Sequence, residues 1–364
     1  MKLDRFHTSF QLNGISFASV EEMLTYTAGF SDDIHQFLEN WFSKDTFIIV
    51  KTSGSTGVPK EIKLQKSQMI NSALATGMFF DLKENTIALL CLPTEYIAGK
   101  MMLIRALVLG WQLDVVAPNS FPLRGIKKQY DFTAMVPLQL ENSLAELPQI
   151  KKLIVGGGVV SNQLQAKIQT SSCAVFATYG MTETITHIAV KRLNNPLSIQ
   201  VDSEQKSFQK EFYQTLPNVE IYKDVRNCLV IKAPNVSNEV IFTNDSIDLV
   251  SDHQFEWLGR LDNVINSGGV KLHPEIIEEK LSKIISNRFF VTGITDEQLG
   301  EKLVLVVEQP FASVEFKKSL KLEIAQLKLL KKFEVPKDIY FVNEFIETDT
   351  KKVQRKKTLD LLKY

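Results

Sequence analysis

Apolar and polar residues along this chain follow the two periods that distinguish strands from helices. Short β-branched runs predict strands at Phe47–Val50, Ile87–Cys91, Leu113–Val116, Phe132–Val136, Leu153–Val155 and Val175–Ala177. Stretches with helical spacing, such as Lys66–Phe80 and Ile97–Leu109, lie between several of them. This alternation predicts an α/β fold on a largely parallel sheet, with Phe47–Val50 as a buried strand.

The pattern changes twice further along the chain. Shorter strands separated by Asn, Asp and Ser turns predict an antiparallel subdomain between Val219 and Leu258. The C-terminal part predicts a small α+β unit with helices and strands at Pro274–Ile285, Phe289–Ile294, Lys302–Glu308, Val314–Phe333 and Ile339–Val342. We therefore expect a large α/β domain over residues 1–260 and a small mobile domain over residues 261–364, with the boundary near Arg260–Asn263.

Composition excludes some classes of partner. Lys+Arg and Asp+Glu are equal at 42 each in 364 residues, so no overall field favours nucleic acid or an acidic membrane surface. Cys91, Cys173 and Cys228 are widely spaced in apolar surroundings, which is typical of buried thiols in a reducing compartment. Because we find no signal-peptide pattern and no apolar run long enough to span a bilayer, we expect a cytoplasmic protein without stable membrane insertion.

The stretch after the first predicted strand is the strongest candidate for chemistry. It contains Thr52, Ser53, Gly54, Ser55, Thr56, Gly57 and Lys60. Glycines let backbone N–H groups approach an anion closely, hydroxyls add donors and the lysine adds positive charge, which together suit a polyphosphate. The spacing is not that of a Walker A loop, because Pro59 separates Gly57 from Lys60. On composition alone, a Ser/Gly-rich surface turn remains an alternative.

Three later segments make this pattern specific. They are Tyr179-Gly180-Met181-Thr182-Glu183-Thr184; Thr243-Asn244-Asp245 followed by Gly259-Arg260-Leu261-Asp262 and Ser267-Gly268-Gly269; and Thr350-Lys351-Lys352-Val353-Gln354-Arg355. In this order they resemble the acyl-adenylate-forming, AMP-binding superfamily of acyl-CoA synthetases, luciferases and peptide-synthetase adenylation domains. The resemblance covers most of the chain, from the region of Thr52 to Arg355.

Three consecutive glycines after a predicted strand, together with two other motifs, indicate one subfamily within this superfamily. Gly156, Gly157 and Gly158, the Tyr-Gly-Met-Thr-Glu-Thr form and Ile265–Gly269 are most similar to the subfamily that ligates 2-succinylbenzoate to CoA in menaquinone biosynthesis. The resemblance implies an ATP-dependent acid–CoA ligase that forms an acyl-adenylate and pyrophosphate, then transfers the acyl group to CoA. A CoA ligase for another aryl or short-chain acid, an adenylation domain that loads a carrier protein and a non-catalytic nucleotide-binding homologue remain alternatives.

The resemblance also implies roles around ATP, where an anionic carboxylate must approach an anionic phosphate. The Ser53–Lys60 loop would hold the β- and γ-phosphates, Glu183 would bind Mg²⁺, Thr182 would contact the α-phosphate, Tyr179 would stack near the adenine, Asp245 would accept hydrogen bonds from the ribose and Arg260 would add positive charge there. Gly156, Gly157, Gly180 and Met181 are counted with the nucleotide-binding residues. Lys352 would bridge the substrate carboxylate and the α-phosphate as the main catalytic group. Its basic neighbours are typical of a solvated tail, so only its motif position favours this role.

A hinge and a CoA path are implied in the same way. Asp262 matches the hinge position about which the small domain of relatives rotates after adenylation. Ser267, Gly268 and Gly269 would then help to form the pantetheine path, and a plain turn before the helix at Pro274 is an equal alternative.

Several positions depart from the family pattern or bear on the substrate. The phosphate loop begins at residue 52, earlier than in larger relatives, so we expect a shortened N-terminal region. The expected partner is a small carboxylic acid, and a homodimer is allowed. Asn244 replaces a common glycine.

A dianionic acid would need a second cationic group, for which Lys271 and Arg105 are candidates, and His187 is a candidate substrate contact.

Overall fold

The structure of the protein is a computed structural model that describes residues 6–51, 61–194, 211–347 and 353–362. Its helices are α1 (Val20–Ala28), α2 (Asp32–Phe42), α3 (Lys66–Phe80), α4 (Ile97–Leu109), α5 (Pro137–Asn142), α6 (Asn162–Ile168), α7 (Pro274–Leu281), α8 (Val314–Gln326) and α9 (Arg355–Asp360). Its strands are β1 (Gln11–Leu12), β2 (Ile15–Ser16), β3 (Phe47–Lys51), β4 (Glu61–Gln65), β5 (Ile87–Leu90), β6 (Gln112–Val115), β7 (Tyr130–Met135), β8 (Ile150–Val155), β9 (Ala174–Gly180), β10 (His187–Arg192), β11 (Tyr213–Thr215), β12 (Glu220–Lys223), β13 (Cys228–Lys232), β14 (Ile241–Ser251), β15 (Gln254–Arg260), β16 (Ile265–Ser267), β17 (Val270–Leu272), β18 (Phe289–Asp296), β19 (Gly300–Glu308) and β20 (Asp338–Val342). No helix among these residues is long and apolar enough to cross a membrane.

One large mixed sheet organises the chain up to Arg260. Its strand order is β12-β13-β14-β15-β11-β10-β9-β8-β7-β5-β6-β1-β2. Strands from β1 to β9 on this path pair in parallel, whereas β10 to β15 pair antiparallel. The parallel strands are continuous apolar runs, such as the fully buried Ala88, Leu89 and Leu90 of β5, because their faces are covered. The predicted α/β class and the antiparallel subdomain are confirmed.

The helices α3 and α4 have the predicted bounds and pack against each other. α4 is buried on nearly all sides, since Met101 to Val108 are all buried in the core. Such a helix shows little amphipathic period, and its length distinguishes it from a buried strand. One of its buried residues is Arg105, which is 2% exposed.

The first predicted strand exists, but its predicted setting is wrong. β3 pairs antiparallel with β4 in a separate two-stranded sheet and does not join the parallel sheet. Ile48 and Val50 are buried, whereas Ile49 is 50% exposed. A hairpin with one covered face alternates in this way, and an all-apolar run conceals the alternation.

Two helices precede the first predicted strand, where the sequence analysis assigned no element. α1 and α2 begin after Ser19 and Ser31, whose hydroxyls accept hydrogen bonds from backbone N–H groups in the first turn. α2 buries Ile34, Phe37, Leu38 and Trp41, which lie on one helical face. The capping serines and the apolar spacing of α2 are both visible in the sequence.

The small C-terminal sheet contains β16 to β20, in the order β17-β16-β19-β18 with β20 parallel to β19. Its helix α8 ends at Gln326, so the predicted end at Phe333 is wrong. Leu327 takes an extended backbone, and Leu327 and Leu330 pack on the core of this sheet from a turn. The sheets change between Arg260 and Ile265, and a hinged division into two domains stays a prediction.

Gly99 in the first turn of α4 is expected to resist substitution. A Cβ there would lie 2.1 Å from the carbonyl oxygen of Pro93, a backbone atom that cannot rotate away. We expect Gly99→Ala to lower the free energy of unfolding by about 1–3 kcal/mol, measured by urea denaturation. Gly29→Ala is the matched control, because its Cβ would meet only the Tyr26 carbonyl at 3.8 Å. An equal stability of the two variants would contradict the prediction.

Candidate active site

The turn after β9 is tightly constrained and presents Glu183 to solvent. Thr184 Oγ1 accepts a hydrogen bond from the Met181 N–H at 3.0 Å and donates to the Thr186 carbonyl at 2.7 Å. Ile185 has φ +67°, a conformation that costs a β-branched residue energy and is often found at functional sites. A Cβ on Gly180 would lie 2.2 Å from the Thr186 carbonyl oxygen, so this position requires glycine. Thr182 is half-buried and Glu183 is exposed.

The glycines after β8 lie at the same carboxyl edge of the parallel strands. A Cβ on Gly156 would lie 2.5 Å from Thr178 Oγ1 of the neighbouring strand, and the Gly156 N–H donates to the Met135 carbonyl at 3.1 Å. Gly157 has φ +77° and is exposed. Because Gly156 and Gly157 have no side chains, the backbone itself lies at this edge of the sheet, next to β9, which ends at Gly180. Open α/β sheets bind ligands at this edge.

Asp245 on β14 is held by two donors. The Tyr179 hydroxyl donates to Asp245 Oδ2 at 2.6 Å, and the Trp257 indole N–H donates to Asp245 Oδ1 at 3.2 Å. Burial and the Asp245 carboxylate together raise the pKa of Tyr179, so the phenol keeps its proton and remains a donor. The Tyr179 ring packs edge-on against Phe255. Both carboxylate oxygens of Asp245 therefore have a fixed orientation.

Trp257 is a site residue that the sequence analysis missed. Asp245 lies opposite Arg260 in the strand pair, and Trp257 lies three residues before Arg260 on β15, opposite Ile247. The alternation Phe255, Trp257 along β15 was the available signal, but the bulge between Ser246 and Ile247 shifts the register, and this shift is not visible in the sequence.

Arg260, Asp262 and Asn244 are joined by hydrogen bonds, and Asn244 is the residue that replaces a common glycine of the family. Arg260 donates to Asp262 Oδ2 at 3.0 Å, and Asn244 donates to the Asp262 carboxylate at 3.4 Å. Arg226 donates to Asn244 Oδ1 at 3.0 Å. Asp262, in the 3-10 turn Leu261–Asn263, is exposed and therefore accessible to a change of partner.

Arg105 lies beneath the Glu183 turn in an environment that is unusual for a guanidinium. It donates to Thr76 Oγ1 at 3.2 Å and to Thr186 Oγ1 at 3.1 Å. No carboxylate from the described ranges is paired with it, and burial lowers its pKa to about 9. Thr186 also contacts His187 Nδ1 at 3.0 Å. A buried cation that bonds only to hydroxyls retains unused donors.

His187 continues this buried group. Burial, with Arg105 nearby, lowers its pKa well below the usual value, so the ring is neutral. Its Nε2 atom is buried and bonds to nothing in the part of the chain that the structure describes. The residue lines a small cavity between α3 and the turns that precede β12 and follow β13. Unpaired buried polar atoms of this kind favour a ligand or water.

Ser267, Gly268 and Gly269 form the tight hairpin turn between β16 and β17. Ser267 pairs with Val270, and both glycines have positive φ, +60° and +82°. The Gly268 N–H donates to the Leu299 carbonyl at 2.8 Å. The alternative of a turn before the α7 helix is thus a sufficient account of the geometry, and a role toward CoA stays a prediction.

Several predicted site residues lie outside the described residues. They are Thr52, Ser53, Gly54, Ser55, Thr56, Gly57, Lys60 and Lys352. The chain on either side of the first group is paired, Lys51 with Glu61, and β4 contacts the turn Thr182–Thr184 that carries Glu183. Beside the second, Glu347 pairs with Val353. The roles of all these residues remain predictions.

Glu183 is the predicted Mg²⁺ ligand. Within the described ranges, no group of three or more His, Cys, Asp or Glu side chains is placed to hold a metal. Mg²⁺ commonly binds to one or two carboxylates, substrate phosphates and water. An exposed single carboxylate on a rigid turn fits an ion that arrives with a nucleotide.

Comparisons with known proteins show which family the chain resembles. The profile of the family described as AMP-binding enzyme matches residues 14–223. A 2-succinylbenzoate–CoA ligase from Geobacillus sp. (strain WCH70) is 25% identical over 367 residues, covering 90% of this chain and 71% of the relative.

Two solved structures resemble the fold. An acyl-CoA synthetase (AMP-forming)/AMP-acid ligase II-like protein from Dyadobacter fermentans is 36% identical, with a TM-score of 0.58 over 91% of this chain and 93% of the other. The Bacillus subtilis O-succinylbenzoate coenzyme A synthetase, solved with ATP and magnesium, is 19% identical with a TM-score of 0.70 over 94% and 82% of the chains. The second likeness concerns the fold alone.

These matches confirm the predicted superfamily and the predicted class of AMP-forming acid–thiol ligase. The profile covers more than half of the chain. The chain belongs to the family of AMP-binding enzymes.

Proposed function

We propose that the protein is an ATP-dependent CoA ligase that adenylates 2-succinylbenzoate, as in menaquinone biosynthesis. The observation that carries the choice of acid is Arg105, a buried guanidinium bonded to two hydroxyls and paired with no carboxylate of the described chain. 2-Succinylbenzoate has two carboxylates, one to be activated and one left over. The names of the relatives support the same choice.

Arg105 suits the second carboxylate better than Lys271 does. Lys271 is exposed on β17, where water weakens its attraction for an anion. Arg105 is buried beside Thr186, three residues after Glu183, so its charge acts in a low-dielectric setting close to the Glu183 turn. A carboxylate would supply the missing acceptor for the guanidinium and relieve the cost of its burial. His187 Nε2 offers a further contact.

The first reaction step joins the acid to AMP. One oxygen of the activated carboxylate attacks the α-phosphorus, the bond to the bridging β-phosphate oxygen breaks, and pyrophosphate leaves with the electron pair. Lys352 would hold the carboxylate and the α-phosphate together, Thr182 would contact the α-phosphate, and the Thr52–Lys60 loop would hold the leaving pyrophosphate. Glu183 would hold Mg²⁺, which supplies positive charge against the phosphate oxygens.

The second step transfers the acyl group. The CoA sulfur, as thiolate, attacks the acyl carbon and AMP leaves with its phosphate oxygen. On this proposal residues 261–364 form a small domain that turns about Asp262 between the steps. The exposed Asp262, bonded to Arg260 and Asn244 through groups that can exchange with water, supports a hinge there. Ser267, Gly268 and Gly269 would then border the pantetheine.

The proposed ribose site is Asp245. Its oxygens are fixed by Tyr179 and Trp257, and each carboxylate oxygen can accept further hydrogen bonds from ribose hydroxyls. Arg260, opposite Asp245 on β15, would add positive charge between ribose and phosphate. Tyr179 therefore has an orienting role, in addition to the predicted stacking on adenine.

Tyr179→Phe is expected to raise the KM for ATP about 10-fold while lowering kcat much less. The change keeps the ring but removes a hydrogen bond to a charged acceptor, a loss of about 1.5–3 kcal/mol. The measurement is initial rate against ATP concentration. Tyr213→Phe is the matched control, because its ring packs in the same aromatic cluster. If both variants raise the KM equally, the bond to Asp245 is not what matters.

The nearest competing function keeps the chemistry and changes the acid to another aryl or short-chain carboxylate. CoA-dependent AMP release, measured across a panel of acids, separates the two. Turnover of 2-succinylbenzoate above benzoate and acetate is the expected result. Turnover of benzoate or acetate alongside failure with 2-succinylbenzoate would overturn the proposal.

A further inference from the structure

A mostly buried ion pair anchors the last helix to the small sheet. Arg355, the first residue of α9, lies 2.8 Å from Glu278 Oε1 through one guanidinium nitrogen and donates to Glu278 Oε2 at 2.9 Å through another. It also donates to the Val291 carbonyl at 2.9 Å, while the Val291 N–H donates to Glu278 at 2.8 Å. Because two guanidinium nitrogens bond to the two oxygens of one carboxylate, the Arg355 side chain is held in one orientation. A lysine has a single nitrogen and could not be held in this way.

A second carboxylate links this pair to the predicted hinge. Glu275, one turn earlier on α7, lies 3.8 Å from the Arg355 guanidinium and accepts a hydrogen bond from Asn263 Nδ2 at 2.6 Å. A Cβ on Gly259 would lie 2.1 Å from Glu275 Oε2, so this carboxylate packs closely against the end of β15 in the space that the glycine leaves free. The 3-10 turn Leu261–Asn263, which contains Asp262, is thereby connected to Arg355 through one side chain.

The other flank of the same segment is anchored as well. Glu347 pairs with Val353, and the Gln354 N–H donates to the Ile346 carbonyl at 2.7 Å. Arg288 forms an ion pair with Glu347. Lys352 directly precedes Val353 in the chain, so the residues that follow it are tied to the small sheet, as is Glu347 five positions before it.

We propose that Arg355 is a positioning residue for adenylation. It fixes the chain that directly follows Lys352 and, through Glu275 and Asn263, ties it to the turn about which the small domain is proposed to rotate. This inference rests on the proposed function, because it takes Lys352 as the adenylating group. Burial raises the pKa of Glu278 to about 7 even beside Arg355, so loss of the guanidinium would favour the protonated carboxyl and remove the paired hydrogen bonds that hold Arg355 in place.

The test compares the two half-reactions in Arg355→Gln and Arg355→Lys. We expect Arg355→Gln to lower kcat for pyrophosphate exchange about 10-fold or more, because a small misplacement of a reacting group is costly, with the KM for ATP unchanged. Transfer from supplied acyl-adenylate to CoA should remain near the wild-type rate. Arg355→Lys should recover part of the loss. A merely structural role would lower both half-reactions together, and that result would overturn the proposal.

Hydrogen exchange provides a readout that needs no turnover. In Arg355→Gln we expect faster exchange at Gln354 and Thr358, whose N–H groups donate to Ile346 and Gln354. Lys302→Gln is the matched control, because it breaks a different ion pair of the same sheet, to Asp338 at 3.0 Å. Exchange in Arg355→Gln that matches wild type would also overturn the proposal, whichever acid the enzyme activates. If wild type activates no acid, the proposed function fails separately.

Discussion

Replacing Lys352 by alanine is expected to lower the rate of acyl-adenylate formation about 10²- to 10³-fold, the usual effect of losing one group that stabilises developing charge. Attack of a carboxylate on the α-phosphate brings two anions together, and a mobile ammonium between them lowers the barrier without binding the ground state more tightly. The KM for ATP should therefore change little. The measurement is exchange of labelled pyrophosphate into ATP in the presence of 2-succinylbenzoate.

Lys351→Ala is the matched control for this experiment. It removes a neighbouring charge from the same basic cluster, so a general effect of charge would appear in both variants. We expect Lys351→Ala to exchange pyrophosphate at nearly the wild-type rate. Undiminished exchange in Lys352→Ala would count against its assignment, and equal losses in the two variants would favour a solvated basic tail.

Arg105→Gln is expected to lower kcat/KM for 2-succinylbenzoate roughly 30-fold or more, since loss of one partner of a buried charge pair costs about 2–5 kcal/mol. Glutamine keeps a hydrogen-bonding amide but supplies no charge for a second carboxylate. A monocarboxylate such as benzoate should lose much less. The measurement is CoA-dependent AMP release with each acid.

The thermal stability of the Arg105→Gln variant distinguishes a role in substrate binding from a structural role. The buried guanidinium has no carboxylate partner among the described residues, so its desolvation is uncompensated in the free enzyme. We expect the unliganded Arg105→Gln protein to have a Tm equal to or above that of wild type. Arg192→Gln, on β10, is the matched control and should leave the preference between acids unchanged. A lower Tm with equal losses for both acids would identify Arg105 as a packing residue.

The long helices were predictable from the sequence, whereas the short elements and the pairing of strands were not. The bounds of α3 and α4 agree with the prediction, because segments of 15 and 13 residues are too long for ordinary strands. The pairing of β3 with β4 was not predictable, since a strand's partner depends on residues elsewhere in the chain. The end of α8 was also missed, because Leu320, Ile324 and Leu327 keep helical spacing while the backbone leaves the helix at Leu327.

The candidate site divides in the same way. Glu183, Asp245 and Arg260 were predicted because they occupy positions that match the family motifs, and their roles stay predictions. Trp257 was missed because its contact with Asp245 depends on a bulge in strand pairing. The Arg355–Glu278 pair joins residues 77 positions apart, a separation that no local pattern can signal.

The superfamily, the α/β class and the residue types that can hold a nucleotide follow from the sequence, because periodicity and motifs are read directly along the chain. The folded structure was needed to show which donors orient Asp245, that Arg105 is buried without a described carboxylate, and that Arg355 is linked to the predicted hinge. These are properties of distance and burial between residues far apart in the chain. Burial also sets the cost of a charge, and the cost of burying Arg105 is what points to a dianionic acid.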